Sequence, residues 1–317
     1  IHAAAIVISP DTITKFLPIQ QKGSNAEIVT QYEMHTVEQL GLLKMDFLGL
    51  RNLSIVDRTL ELIGSESLDI DNLKLDDEKT FKLFAEGKMT GVFQLESRVA
   101  QSTSRSLKPK RFEDIVALVA LIRPGPLGAG MHNEFADRAN NRKEIEYLHS
   151  DLESILNETY GVILYQEQVM QIAEKIAGFN LQEADNLRVA MGKKIPKVME
   201  EQRKKFTDGA VSNNYSEQFA IELFDQIAYF AGYGFNKSHS VPYALLAYQT
   251  AYLKANYPAE YIAACLTAVK RDKDRTAIFL SEARDMGVKV STPDVNLSSS
   301  DFTVNDNEIL FGLSAVR

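Results

Sequence analysis

The chain has 317 residues, 45% of them hydrophobic, with 35 Lys and Arg against 43 Asp and Glu for a net charge of −8. That size suits one large domain or two with a real core, and a net-negative chain does not advertise nucleic-acid binding except through a local patch. A single cysteine, Cys265, excludes an internal disulfide framework and a cysteine zinc cage, and no apolar run approaches the ~20 residues that span a bilayer.

In chain order, Ile1–Ser9 reads as a buried strand ending at Pro10. With no initiator Met and a strand at the first residue, the chain reads as an internal piece of a longer protein. Residues 11–36 are mixed and polar, with a turn expected at Lys22-Gly-Ser-Asn25. Leu42–Leu48 is expected to be extended, which puts Lys44 and Asp46 on one side of a strand amid apolar neighbours. Leu53, Val56, Leu60 and Ile63 then form a helical stripe ended by Gly64.

From about Asp71 the pattern is mainly helical. Helices are expected over Thr80–Glu86, Phe112–Leu121 and Tyr165–Gly178, and near 182–191, 197–208, 216–231, 241–256, 258–269 and 275–286. Arg123-Pro-Gly-Pro126 is expected to be rigid loop, because two prolines cannot continue a helix. Val288–Val290 and Phe302–Leu313 read as short strands around an Asn305-Asp-Asn307 turn. Cys265, inside an apolar helical run, reads as a small buried hydrophobe.

The stretch Gly232-Tyr-Gly-Phe-Asn-Lys-Ser-His-Ser240 holds the most suggestive chemistry. A helix starting at Val241, with Pro242 in its first turn and Ser238 or Ser240 as cap, leaves Lys237 and His239 beside unpaired N–H groups at the positive end of a dipole. That is an anion site; a capped helix with one solvated lysine is the other reading. Asp46 is costly in an apolar run unless it pairs with Lys44 or binds a metal, and a Mg²⁺ phosphoryl-transfer site needs two or more carboxylates. Arg123, held by its Pro-Gly-Pro, can grip phosphate bidentately or tie its loop to the body. Two basic runs suit phosphates or form solvated faces: Arg98 to Arg111, and Arg188 with Lys193, Lys194, Lys197, Arg203, Lys204 and Lys205.

Several motifs occur in one order along the chain: His2-Ala-Ala, Leu43-Lys-Met-Asp-Phe-Leu-Gly-Leu50, Gly91-Val-Phe-Gln-Leu-Glu-Ser97 and Ala117-Leu-Val-Ala-Leu-Ile-Arg-Pro-Gly-Pro126. They continue with Tyr160-Gly-Val-Ile-Leu-Tyr-Gln-Glu-Gln-Val-Met170, Ala190-Met-Gly-Lys-Lys194, Gly232–Ser240 and Tyr257-Pro-Ala-Glu260. Together they resemble the α subunit of bacterial DNA polymerase III, the C-family replicative polymerase. The resemblance implies a mainly α fold with a short α/β lead-in, the end of a polymerase-β-like palm, and a small β-hairpin region near residue 317. It implies palm over 1–52, helical fingers over 53–270 and the end of the fingers over 271–317, before a helix-hairpin-helix and clamp-binding region.

The same resemblance implies template-directed nucleotidyl transfer from dNTP to a primer 3′-hydroxyl with two Mg²⁺ ions. Asp46 matches the third catalytic carboxylate, the other two lying upstream, and Lys44 a phosphate contact beside it. Arg188, Lys237, Ser238 and His239 match ligands of the incoming triphosphate, with Arg123 and Lys193 as further candidates. The implied partners are primer–template DNA, dNTP, the sliding clamp and other replisome subunits, with no membrane; the implied location is the bacterial cytoplasm at the nucleoid. A piece with one catalytic carboxylate is expected to be inactive alone. An error-prone translesion paralogue shares these motifs, and a non-catalytic nucleic-acid-binding scaffold is a third reading. Two positions depart from the family: Val189 stands where a second arginine is usual, and Ala5 where glycine is.

Overall fold

A computed structural model describes the chain except residues 1–4, 22, 24–26, 48, 50, 65–67, 194–195, 232–233 and 317, together with the side chains at 193, 196 and 231. His2, Lys194 and parts of the expected 22–25 turn and of Gly232–Ser240 therefore lie outside the described residues. The chain divides into two compact units, Ile1–Leu53 and Ser54–Arg317.

In the first unit β1 (Ala5–Ile8) pairs antiparallel with a later strand, and β2 (Ile19–Gln21) with β3 (Ile28–Thr30). Next comes α1 (Met34–Gln39), whose first N–H groups are capped by the Glu33 carboxylate, and then β4 (Leu43–Asp46), the partner of β1. The register sets Val7 opposite Lys44 and Ala5 opposite Asp46, so by strand alternation these four share one face. Leu17, Val37 and Leu42 form a small core with Val7, Ile13 and Ile19 against it. The β2–β3 hairpin and α1 were not anticipated from residues 11–36. Each is short, and only three or so alternating side chains mark each strand.

The second unit is helical. It holds all but the first three residues of α2 (Arg51–Ile63), followed by α3 (Glu78–Glu86), α4 (Arg98–Leu107) and α5 (Phe112–Leu121). Gly64 ends α2 at a φ of 94°, a conformation that suits glycine. The expected Arg123–Pro126 loop is instead the start of a short helix, α6 (Pro124–Gly128), because a proline at the first helical position gives up no hydrogen bond. Then come α7 (Met131–Ala139), α8 (Glu153–Leu156), α9 (Gln166–Ala177), α10 (Leu181–Lys193), α11 (Pro196–Ser212) and α12 (Glu217–Ala231). The last helices are α13 (Lys237–Asn256), α14 (Pro258–Val269) and α15 (Lys273–Asp285). The chain then forms the hairpin β5 (Thr303–Asn305) with β6 (Glu308–Leu310), turning through Asp306 and Asn307 at positive φ.

Three apolar clusters hold this unit together. One joins α3, α4, α5 and α7 to α13, a second joins α9 through α12, and a third joins α14 and α15 to the terminal hairpin. Helix α13 starts at Lys237, four residues earlier than the sequence suggests. The reason is local: Asn236, not Ser238 or Ser240, is the N-cap, accepting from the His239 N–H at 2.7 Å. Pro242 consequently lies inside the helix.

Buried polar groups fix α13 along its length. Ser240 Oγ donates to Val116 O at 2.7 Å, Tyr248 OH to Lys74 O at 3.0 Å, and Thr250 Oγ1 accepts from the Phe93 N–H at 3.1 Å. Lys254, 1% exposed along its side chain, donates to Lys88 O, Thr90 O and Glu282 Oε1 at 2.7, 2.8 and 2.6 Å. Burial pulls the Lys254 pKa down, and Glu282 opposes that pull. Cys265, fully buried beside it, has its thiol pushed up to about 12 by burial and is a packing residue. No helix among the described residues is long and apolar enough to cross a membrane.

Replacing Lys254 with Met strands the Glu282 carboxylate and two carbonyls. Removing one partner of a buried pair costs about 3–5 kcal/mol. Urea denaturation of the K254M chain should show a loss of that size, and a loss below about 1 kcal/mol would show that the pair contributes little.

Candidate functional site

The site is built where the strand-like stretch before α9 meets the segment before α13. Tyr160 and Gly161 both take positive φ, and the 79° at Gly161 favours glycine there. The chain then runs buried through Val162–Tyr165 into α9. Gln168 accepts from the N–H groups of Leu164 and Tyr165 at 2.9 and 3.0 Å, closing the helix start. Phe235 bridges to Tyr165 in parallel: its N–H donates to Leu164 O at 3.1 Å, and its carbonyl accepts from Gln166 N at 2.9 Å. The Gln166 amide adds a bond to Gly234 O at 3.1 Å.

This bridge gathers four of the six phosphate candidates. Arg123 lays its guanidinium over the Phe235 ring at 3.9 Å. Arg188 reaches Gln166 Oε1 at 3.4 Å while its Nε donates to Asp185 at 2.8 Å. His239 packs edge-on to Phe235 and stacks on Tyr243, centroids 4.3 Å apart. Lys237 Nζ lies 5.7 Å from the Tyr165 ring. Ser238 is exposed in the first turn of α13. The Lys193 side chain lies outside the described residues.

One expectation is overturned. The N–H groups at the start of α13 are not unpaired: Lys237 N donates to both Glu167 carboxylate oxygens at 3.0 Å, Ser238 N to one of them at 3.4 Å, and His239 N to Asn236. Lys237 Nζ itself holds the Glu158 carboxylate at 2.6 and 2.7 Å. Neither glutamate was singled out from the sequence. Glu158 lies 79 residues and Glu167 70 residues before Lys237, and only the capping logic of a helix start points to a carboxylate there.

The ring contact of Arg123 ties α6 to the 234–236 segment, which is its structural reading, and the residue is exposed. The basic runs change character. Arg111 is engaged by Asp114 at 3.2 Å, by Glu158 O at 2.7 Å and by the Tyr160 ring. Arg203 pairs with Asp225, and Lys205 with Glu183 at 2.8 Å, so much of the second run is neutralised from neighbouring helices. Arg98, Arg105, Lys108 and Lys110 are exposed.

In the first unit, Lys44 Nζ donates to both Asp46 carboxylate oxygens at 2.7 and 2.9 Å, which is the ion-pair alternative. The expected apolar enclosure of Asp46 is absent within this unit: its side chain is 40% exposed, and Leu43, Met45 and Phe47 are exposed too. A two-stranded sheet buries one face only, which leaves Leu43 and Met45 exposed; Asp46 shares the face of Val7 but is the last residue of its strand. Among the described residues no group of three His, Cys, Asp or Glu gathers to hold a metal. Asp46 by itself does not make a Mg²⁺ site.

A cavity of about 1000 Å³ opens elsewhere in the second unit. Its lining includes Glu146 and Glu222 together with Glu134, Asp137 and Asp225, which pair with Arg138, Arg142 and Arg203.

The helical unit brings arginine, lysine and histidine together at one backbone bridge. Comparison with known proteins is more specific. Residues 52–214 match the bacterial DNA polymerase III alpha subunit finger domain, residues 1–49 the bacterial DNA polymerase III alpha NTPase domain, and residues 287–317 a helix-hairpin-helix motif. The DNA polymerase III alpha subunits of Mycobacterium tuberculosis, Thermus aquaticus and Escherichia coli K12 are 44%, 48% and 46% identical to it across the whole chain. The chain belongs to the bacterial DNA polymerase III α-subunit family, and it spans 26–28% of the length of these relatives. The helix-hairpin-helix match falls on residues that the sequence reading assigns to the end of the fingers, and the hairpin β5–β6 lies within it.

Tyr160 gives this region a pH signature. Its hydroxyl donates to the buried Asp114 at 2.8 Å, and burial, then that carboxylate, pushes its pKa up to about 12. An unfolded tyrosine titrates near ~10, so the native state keeps a proton the unfolded chain gives up. Stability from this group is fully present below pH ~10 and is lost as pH rises through about 12. Denaturant titrations across that window should show a shallower alkaline loss in Tyr160→Phe than in the parent chain, and equal slopes would exclude the assignment.

Proposed function

We propose that this chain is the fingers and the adjoining end of the palm of a template-directed DNA polymerase that transfers a nucleotide from dNTP to a primer 3′-hydroxyl. In this reading residues 1–52 belong to the palm, 53–270 to the fingers and 271–317 to the end of the fingers. The observation that carries it is the gathering of Arg123, Arg188, Lys237 and His239 around the Tyr165–Phe235 bridge. Lys237 and Arg188 neutralise the triphosphate, and the charge growing on departing pyrophosphate is met by donors already in place. His239, stacked on Tyr243, presents a ring edge and an N–H from a fixed orientation. Arg123 keeps the edges of its guanidinium available while its face rests on Phe235. Lys193 is a further phosphate contact at the end of α10, and Ser238 lies between the two contacts of the first turn of α13.

Asp46 is one of the carboxylates for Mg²⁺, with Lys44 as a phosphate contact beside it. The remaining ligands belong to parts of the polymerase outside this chain, as do the contacts to the sliding clamp and the other replisome subunits. Primer–template DNA and dNTP are the substrates, and the bacterial cytoplasm at the nucleoid is the place of action.

In the full-length polymerase, Lys237→Ala or His239→Ala should raise the KM for dNTP by roughly ten- to a hundredfold, the worth of a charge-assisted hydrogen bond. Steady-state primer extension measures this; unchanged KM and kcat in both variants would refute the triphosphate assignment. Residues 1–317 alone, with Mg²⁺ and a primed template, should show no extension, and measurable synthesis would refute the role given to carboxylates outside the chain.

A further inference from the structure

Lys237 is already engaged at the start of α13. Glu158 and Glu167 both contact it, one at its ammonium and one at its backbone N–H. The ammonium that is to meet a phosphate is held by Glu158, so that carboxylate competes with the phosphate for it.

The two glutamates are held differently. Both oxygens of Glu167 accept from helix N–H groups, which stay where the backbone puts them. Glu158 projects from a 3-10 turn (Asn157–Thr159), its side chain is 30% exposed, and its carboxylate meets the flexible Lys237 side chain. The backbone of that turn is anchored separately, through Arg111 Nη2 on Glu158 O at 2.7 Å. The carboxylate can swing while its turn stays in place.

A third group completes the cluster. Tyr165 is 1% exposed, and its hydroxyl has no hydrogen-bond partner among the described residues. Burial raises its pKa most, followed by the charges of Glu158 and Glu167, so both carboxylates are near enough to be felt. A buried hydroxyl left unpaired is costly, and a carboxylate that turned to it would relieve that cost.

We propose that Glu158 is an internal competitor for Lys237, a positioning residue that sets the affinity of this site for phosphates. In the empty site it holds the ammonium. When a nucleotide or pyrophosphate arrives, Lys237 transfers to the phosphate and Glu158 turns to accept the Tyr165 hydroxyl. No covalent bond is made or broken and no net proton is exchanged. The competition weakens the binding of substrate and product alike, which favours pyrophosphate release. The proposal rests on the triphosphate reading of the loop.

The test uses the full-length polymerase, reading the KM for dNTP and the inhibition constant of inorganic pyrophosphate. A part-exposed ion pair is worth up to about a fivefold change in a binding constant. Glu158→Gln should lower both constants by about three- to fivefold without a matching fall in kcat. Glu158→Asp, which withdraws the carboxylate by one methylene, moves both constants the same way and serves if the glutamine variant folds poorly. Tyr165→Phe removes the acceptor's alternative partner and should raise both. If both Glu158 variants leave the two constants unchanged or higher while Lys237→Ala raises them, the competition is refuted and the phosphate site stands. If Lys237→Ala changes neither constant, the phosphate reading falls, and the competition with it.

Discussion

The pairing of Phe235 with Tyr165 is the constraint from which the candidate site follows. Two backbone hydrogen bonds and the Gln166 amide bind the segment before α13 to the segment before α9. With that bridge in place, the first residue of α13 falls over the Glu167 carboxylate, and the side chains of Arg123, Arg188 and His239 converge on it. A flexible glycine-flanked loop would lose that convergence to backbone entropy, of the order of 1–2 kcal/mol for each residue released.

Helix α13 transmits this order through the second unit. Its buried polar side chains reach α5 at Val116, the turn before α3 at Lys74 and Asp77, the Gly91–Ser97 motif at Phe93 and Thr90 just before it, and α15 at Glu282. The motif is itself clamped, since Glu96 forms a two-pronged pair with Arg275 at 3.0 and 3.1 Å. Phe93 then touches Tyr243, which stacks on His239. A motif that carries no obvious chemistry thus supports the ring of His239 through Tyr243. Such support by a second layer is how a site keeps its geometry on a helical scaffold.

Much of the helical body was legible because amphipathic periodicity is a local property. Phe112–Leu121, 258–269 and the Val169-Ile172-Ala173-Ile176 stripe of α9 all carry it, with Gly64 and Gly178 as stops. Helix α4 was not, because Arg98–Leu107 is rich in serine and threonine; it is helical because Ser97 caps it and Ser104 bonds to Phe84 O in the interior. The start of α13 was misplaced for a similar reason. Proline at 242 invites a start at Val241, but Asn236 and the far-off Glu167 reward an earlier one.

By itself the sequence determined the family, through motifs in a fixed order, and the helical class, through the spacing of apolar residues. It also marked Lys237 and His239 as the residues around which to look. Only the tertiary structure decided which charges meet. Glu158 and Glu167 reach Lys237, Asp225 reaches Arg203, Glu183 reaches Lys205, and Asp46 stands exposed beside Lys44. The physical reason is one of range. Periodicity and capping act over a few residues and are written along the chain, whereas an ion pair depends on a separation of a few ångströms in space, which packing alone sets.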